Sequence, residues 1–514
     1  MLTAAKMRWR DFLLARRSSN DFSVVLLDLL GDSAQYFAGL VLLGLANTVL
    51  LPLYMHYLEP AQFGLYALIE ITSLALISVA GLGFNTSYLK WYAEVEGQNA
   101  FRLLGSMVMI SGLSAIAMGA VLAAGVGSVA GSRLLGGSAR EFAWLLMPLV
   151  FLETLYASFE SHLRARRRPN SISIAALIRL VAIAMLSIWL MVFHHGGLTG
   201  LFQGRVVGDL CGLSVIVFCC RRDFSLRFSS HFSRRMLRYG TPLVAISLMT
   251  LGLDAVGRYL LKAYGTLDQV GLYTAGIKIS NLMRILFVAP LGAAWGGMMF
   301  QIAKKPNAQF IYSKLLGYVF LLSSTVALTI ALLTPTLFAV LSAPAYRSAM
   351  PLVPWLLLVQ VVSILQCPIS TGMYVGNATR WLIPIYGTGL GVDLILGRAM
   401  VTRYGMYGTA WAWLIGWIVI CLLMVAVGQK HYPLQFEWEP LALSIAICSI
   451  ATVIGHLGLL NLEPKSLLLQ ATCCSGVVAV VAAYVVRDVR KSHAAFSSGF
   501  HSKKRLDVLV AESD

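Results

Sequence analysis

Four charged side chains stand inside apolar stretches of one segment, Phe232 to Phe300: Asp254, Arg258, Lys278 and Arg284. The segment has the pattern of a helical hairpin. A basic run leads into Arg238-Tyr239-Gly240-Thr241-Pro242, then come an apolar span, a polar turn from Gly265 to Gln269, and a second apolar span opening on Gly271-Leu272-Tyr273. A charge held at mid-bilayer costs roughly 2.5–3.5 kcal/mol on insertion scales, so such residues are paired or face a cavity. Asp254 and Arg258 are four residues apart, on one helix face, and can pair. Together with Lys278 and Arg284 they describe a partly neutralised cationic cavity suited to an anionic headgroup. The competing reading is a structural ion pair locking two helices, with Lys278 and Arg284 snorkelling to an interface. Arg179, Arg205 and Arg398 form a second rank of binding candidates, and Arg205 with Asp209 is again an i, i+4 pair. Glu70, Asp254, Asp209 and Asp393 are the carboxylates that would exchange an ion, Glu70 foremost because a buried carboxylate with a raised pKa can titrate near neutrality. Glu153 and Glu160 are expected to lie toward the inner end of their helix, in contact with water.

Composition supplies the setting. The chain of 514 residues is 58% hydrophobic and 12% charged, and its mean hydropathy is +0.76. Soluble domains carry about 25% charged residues, so this is an all-α polytopic membrane protein. About 20 apolar residues span a bilayer, and roughly fourteen such helices account for the length. The net charge of +17 is a topology signal. Basic clusters such as Arg164, Arg166, Arg167, Arg168, Arg221, Arg222, Arg234, Arg235 and Arg238 fall on one side. The other side carries Arg133, Arg140, Lys262, Arg347, Arg403 and Lys465. By the positive-inside rule both termini are expected in the cytoplasm, and no nucleic-acid partner is implied.

The chain reads as a duplication. Gly64-Leu65-Tyr66 recurs as Gly271-Leu272-Tyr273, which puts Gln62 on Gln269 and Asn47 on Asp254. Gly197-Leu198-Thr199-Gly200 recurs, at the same separation within one residue, as Gly405-Met406-Tyr407-Gly408. Repeated halves around a central site are the common design of secondary transporters. The expected organisation is a basic leader and interfacial segment (1–33), an N-terminal six-helix bundle (34–220) and a basic linker (221–239). A C-terminal six-helix bundle (240–428), two additional membrane helices (429–486) and a basic tail (487–514) follow.

Other chemistries find little support. Most cysteines, including Cys211, Cys367, Cys421, Cys448 and Cys473, fall in apolar spans without ligand-like spacing to histidine. His194-His195 lacks partners for a metal. No phosphate-binding GxxxxGK[ST] loop, nucleophile elbow or HExxH motif is present. No cofactor is expected beyond H+ or Na+ as a coupling ion, and no enzymatic activity. A membrane polysaccharide polymerase or ligase would need a large catalytic external loop, and the external loops here are short.

The block Ala46 to Glu94, ANTVLLPLYMHYLEPAQFGLYALIEITSLALISVAGLGFNTSYLKWYAE, resembles the opening of polysaccharide-unit flippases. These are the O-antigen and capsule exporters of the multidrug/oligosaccharidyl-lipid/polysaccharide exporter superfamily. Leu58-Glu59-Pro60-Ala61-Gln62-Phe63-Gly64-Leu65-Tyr66 follows a recurrent family pattern, with Glu59 where glycine is usual. The block Leu237 to Lys278 resembles the seventh and eighth helices of the same family. The resemblance implies two six-helix bundles plus two C-terminal helices in a bacterial inner membrane. It implies alternating access, coupled to ion antiport, that carries a polyprenyl-pyrophosphate-linked sugar unit to the periplasmic leaflet. Implied partners are that lipid-linked substrate, membrane lipid, and polymerase and chain-length or export machinery. A multidrug cation antiporter and a peptidoglycan-precursor flippase stay open as alternatives. The first would want an acidic cavity, and the second would be essential for growth.

Overall fold

The computed structural model describes residues 50–92, 94–95, 98–126, 139–166, 168–223, 227–305, 307–433, 438–456, 472 and 474–488. The leader 1–33, residues 34–49 with Asn47, residues 127–138, residues 457–471 within the two expected C-terminal helices, Cys473 and nearly all of the tail lie outside them. Among the described residues there is no strand. The helices are α1 (Leu50–Tyr57), α2 (Pro60–Ala80), α3 (Phe84–Tyr92), α4 (Gln98–Val126), α5 (Ala139–Ala165), α6 (Pro169–Ile188) and α7 (Gly197–Cys220). After them come α8 (Ser230–Tyr264), α9 (Leu267–Met283), α10 (Ala289–Ile302), α11 (Ala308–Leu341), α12 (Val353–Val375), α13 (Leu382–His431) and α14 (Trp438–His456). Residues 474–488 are also helical. Nine helical runs among the described residues are long and apolar enough to cross a membrane.

Two of those runs are compound. At 1.5 Å per residue, α13 would reach about 75 Å, more than twice the ~30 Å of hydrocarbon it has to cross. It breaks at Gly405, where φ is 52° and ψ −126°, giving two spans. The run from Pro60 to Tyr92 is bent at Gly81–Gly83 into α2 and α3, with Leu82 and Gly83 both at positive φ. The seventh expected span starts early: α8 begins at Ser230, inside the stretch read as a linker.

The duplication is visible in the backbone. Helices α2 and α9 begin at equivalent positions, Pro60 and Leu267, and both starts are capped. The Glu59 amide donates to Gln62 Oε1 at 3.3 Å, and the Gln269 amide donates to Thr266 Oγ1 at 3.3 Å. The second repeated motif places Gly197 and Gly405 at φ 51° and 52°, a left-handed conformation that glycine adopts without steric cost. In each half the next glycine of the motif lets the chain turn back on the preceding helix. A Cβ on Gly200 would fall 2.8 Å from the Leu190 carbonyl oxygen, and one on Gly408 would fall 2.4 Å from that of Met400.

Helices α3 to α7 pack chiefly on one another, as do α8 to α13, while α2 packs more on α9 and α8 than on its own half, and α14 lies against α11. The segment 474–488 is tied to α11 as well, through Lys314 Nζ to Asp488 at 2.9 Å and Tyr318 Oη to Asp488 at 2.6 Å. The halves meet along α2, α3, α8 and α9. At one end Gly64 and Gly271 let α2 and α9 touch, and a Cβ on Gly271 would fall 1.9 Å from the Pro60 carbonyl oxygen. Tyr346 reinforces that end by donating to the Leu58 carbonyl at 2.8 Å. At the other end Gly83 meets Gly240, where a Cβ on Gly83 would be 2.4 Å from the Gly240 oxygen.

Gly271→Ala is therefore expected to destabilise the protein by about 1–3 kcal/mol through overpacking. A Cβ on Gly292 meets nothing within 4 Å, so Gly292→Ala should leave the melting temperature unchanged or slightly higher. Thermal unfolding of the two detergent-solubilised variants checks the contrast.

Candidate functional site

Between the two seams lies a cavity of about 300 Å³. Its charged lining comes from both halves: Glu70 on α2, Asp254 and Arg258 on α8, Lys278 on α9 and Arg284 just beyond α9. Three cations against two carboxylates leave the cavity one positive charge in excess. The sequence places four of these residues in one hairpin; the fold adds Glu70 from the other half.

The pairing differs from the sequence expectation. Arg258 does not pair with the Asp254 carboxylate. Its NH1 group donates to the Asp254 backbone carbonyl at 2.7 Å, because the side chain folds back along its own helix. The Asp254 carboxylate instead takes Arg284 at 3.3 Å. Lys278 does not snorkel to an interface. It reaches across the halves to both Glu70 oxygens, at 3.0 and 2.8 Å. Glu70 also accepts from Tyr66, one turn earlier, at 3.2 Å. Arg284 opens a π-helical turn, Arg284–Val288, and its side chain is half exposed at 51%. Such turns re-aim side chains and recur at functional sites.

Arg258 is the least satisfied of the five. It is 6% exposed, and its Nε has no hydrogen-bond partner. An orphaned buried donor costs about 1–3 kcal/mol, more when charged. The fold thus holds an unpaid cationic donor at the cavity wall.

The structure assembles the other candidates elsewhere. Arg179 on α6 donates to Asp209 at 2.6 Å and to Glu153 at 3.1 Å, and Arg205 on α7 donates to Glu153 at 2.7 Å. Arg179 also lies over the Tyr156 ring at 4.7 Å. The expected Arg205–Asp209 pair is replaced by these bonds between helices. Glu153, expected near water, is the hub of the network, with a side chain only 12% exposed. Two cations and two carboxylates leave the network neutral, and none of the four lines the cavity. Arg205 is close enough to Glu70 to act on it electrostatically, so the network backs the cavity's acidic wall. Glu160 does keep to the helix end, paired with Arg164. Asp393 is 1% exposed, packed beside Gly416 and Gly397, with one carboxylate oxygen unpartnered. Arg398 is exposed and makes no salt bridge among the described residues. Those residues also contain no cluster of three metal-ligating side chains.

Two lining residues with polar groups escaped the sequence reading. Asn281 lies three residues from both Lys278 and Arg284, on their helix face, and accepts from Gln360 at 3.3 Å. That spacing was a readable signal. Trp413 closes the cavity with an indole N–H that has no partner, and no local pattern separates it from Trp411 and Trp417.

Residues 31–303 match the family described as "Polysaccharide biosynthesis protein". The chain belongs to this family. No curated protein matches it in sequence. Solved structures resemble it in fold. One is "Lipid II flippase MurJ, inward closed conformation", at 14% identity and TM-score 0.68, covering 91% of this chain and 99% of that one. Another is an inward-facing multidrug resistance MATE family transporter of the MOP superfamily, at 15% identity and TM-score 0.61, covering 76% and 93%. The Vibrio cholerae MATE transporter VcmN in the bent form follows at 16% identity and TM-score 0.56, covering 79% and 98%. Family and fold together make the chain a multi-pass membrane protein of the polysaccharide biosynthesis family with a fold like that of these flippase and multidrug-transporter structures.

The Glu70–Lys278 contact predicts a measurable coupling. Glu70→Gln and Lys278→Met should each destabilise the protein, since each strands a partner. The double variant should lose less than the two losses added, with a coupling of about 1–3 kcal/mol. Thermal unfolding across the four-protein cycle measures it.

Proposed function

We propose that this protein flips a polyprenyl-pyrophosphate-linked oligosaccharide unit from the cytoplasmic to the periplasmic leaflet of a bacterial inner membrane, for surface or extracellular polysaccharide synthesis. The observation that carries the reading is the cavity's cationic excess, centred on the unsatisfied Arg258 guanidinium. A pyrophosphate offers several anionic acceptor oxygens. Bonds to Arg258, Lys278 and Arg284 would replace the solvation it loses on leaving water. The prenyl chain has no need of the polar cavity and would remain in lipid beside the bundles. A lysine already held by Glu70 and an arginine held by Asp254 are available by exchange: the phosphate takes the cation and the carboxylate is released.

That exchange suggests how an ion is coupled. Glu70 or Asp254, freed from its cation, would take up H+ or Na+, so that the empty carrier can reset with its cavity charge balanced. The unpartnered carboxylate oxygens of Asp393 and Asp209 are secondary candidates for the same role. Arg179, Arg205 and Arg398 contribute to substrate binding only indirectly in this reading. Both termini would be cytoplasmic. Polymerase and chain-length or export machinery would receive the flipped unit. A multidrug cation antiporter is disfavoured by the charge of the cavity. A peptidoglycan-precursor flippase would share that charge, and dispensability for growth separates it.

Arg258→Met removes the orphaned donor. The variant should unfold at or above the wild-type temperature, because a buried unpaired charge is replaced by an apolar chain of similar length. It should nonetheless lose polysaccharide export while remaining in the membrane. Export at wild-type level from the Arg258→Met, Lys278→Met double variant would contradict the assignment.

A further inference from the structure

At the seam formed by Gly83 and Gly240, the two halves are also held by a reciprocal pair of cation–π contacts. Lys90 on α3 lies 4.1 Å from the Tyr239 ring centroid on α8, and 5.1 Å from that of Trp91. Arg235 on α8 lies 5.3 Å from the Trp91 ring on α3. Each half thus lends a cation to an aromatic face of the other. Lys90, Arg234, Arg235 and Arg238 are all exposed, and none of them makes a salt bridge among the described residues. Their neighbours at this end of the molecule contrast with them: Arg166 and Arg168 share the buried Asp223, at 2.8 and 3.6 Å. Among the described residues the seam therefore keeps four cations without a carboxylate, two of them, Lys90 and Arg235, on the faces of partly exposed rings.

We propose that this seam binds the phosphate of an anionic phospholipid from the adjoining leaflet, through Lys90, Arg235 and Arg238, and that binding loosens the contact between α3 and α8. Tyrosine and tryptophan sit at headgroup depth, which puts these cations level with lipid phosphates. Exposed cation–π contacts are weak, so a phosphate competes with a ring for the same ammonium or guanidinium, whereas a buried carboxylate partner would win. The occupant is bulk phospholipid rather than the transported headgroup. An open surface site is filled by an abundant ligand, whereas a rare one needs the enclosed donors that the central cavity supplies. The inference does not depend on which substrate the cavity carries.

The test uses the full-length protein in nanodiscs of phosphatidylcholine, alone or mixed with phosphatidylglycerol. Amide hydrogen exchange is followed over residues 84–92 and 230–241. Phosphatidylglycerol is expected to raise exchange in both segments several-fold, and inorganic phosphate added to phosphatidylcholine discs is expected to leave it unchanged. Lys90→Gln/Arg235→Gln/Arg238→Gln should abolish the response. Lys304→Gln/Arg380→Gln/Lys430→Gln, the same change in charge elsewhere on the chain, should keep it, as should the conservative Lys90→Arg. Exchange in the wild type that ignores phosphatidylglycerol would overturn the proposal. So would a response that survives the seam triple variant, disappears equally in the control triple, or is reproduced by free phosphate.

Discussion

Five charged side chains share one cavity in a protein otherwise built to satisfy hydrocarbon, and the contact between Glu70 and Lys278 is the one on which their arrangement turns. It is the only salt bridge among the described residues that joins the two halves at the cavity. With Lys278 committed to Glu70 and Arg284 to Asp254, Arg258 is left without a carboxylate. The same contact helps fix the halves at the distance at which Gly64 meets Gly271 and Gly83 meets Gly240. Charge pairing in the middle and backbone contact at the two ends are thus parts of one closed state. An anion entering the cavity would alter the first and thereby bear on the second.

The glycine contacts explain why so few residues decide the shape. At each seam the approach is close enough that a single methyl group would collide with a backbone oxygen. Around the glycines the halves share buried apolar side chains, among them Phe63, Ile69, Ile279 and Val353. Tyr346 adds one hydrogen bond to Leu58 at one end. At the other, the Ser229 amide donates to Ser106 at 2.8 Å beside the paired cation–π contacts. These contacts join one half to the other. The ionic network of Glu153, Arg179, Arg205 and Asp209 has the opposite character. It is buried, internally neutral and confined to α5, α6 and α7, which suits it to keeping one half rigid.

Much of this was legible in the sequence, for physical reasons. Hydrocarbon tolerates little charge, so composition alone established a polytopic helical protein, with Asp254, Arg258, Lys278 and Arg284 standing out as cavity candidates and Glu70 as an ion-exchanging carboxylate. The repeated glycines carried the duplication, because positive φ at Gly197 and Gly405 favours glycine and the close approach at Gly64 and Gly271 leaves no room for a Cβ. What could not be read was partnership. Spacing of four residues favours Asp254 with Arg258 and Arg205 with Asp209, yet in both cases a residue from another helix took the carboxylate. Glu153 was misplaced for the same reason: its depth along α5 was legible, but its direction depends on α6 and α7. Arg398 shows the converse, a charge within a helix whose side chain is exposed and meets no carboxylate among the described residues.

The most direct measurement is the leaflet distribution of lipid-linked sugars in cells deleted for this protein. The account predicts that the intermediates accumulate on the cytoplasmic face while surface polysaccharide is lost, and that reintroducing the wild-type chain reverses both. Accumulation on the periplasmic face would place the protein after the flipping step and contradict the account. An unchanged distribution with altered sensitivity to cationic drugs would contradict it too, and would assign the cavity to drug export.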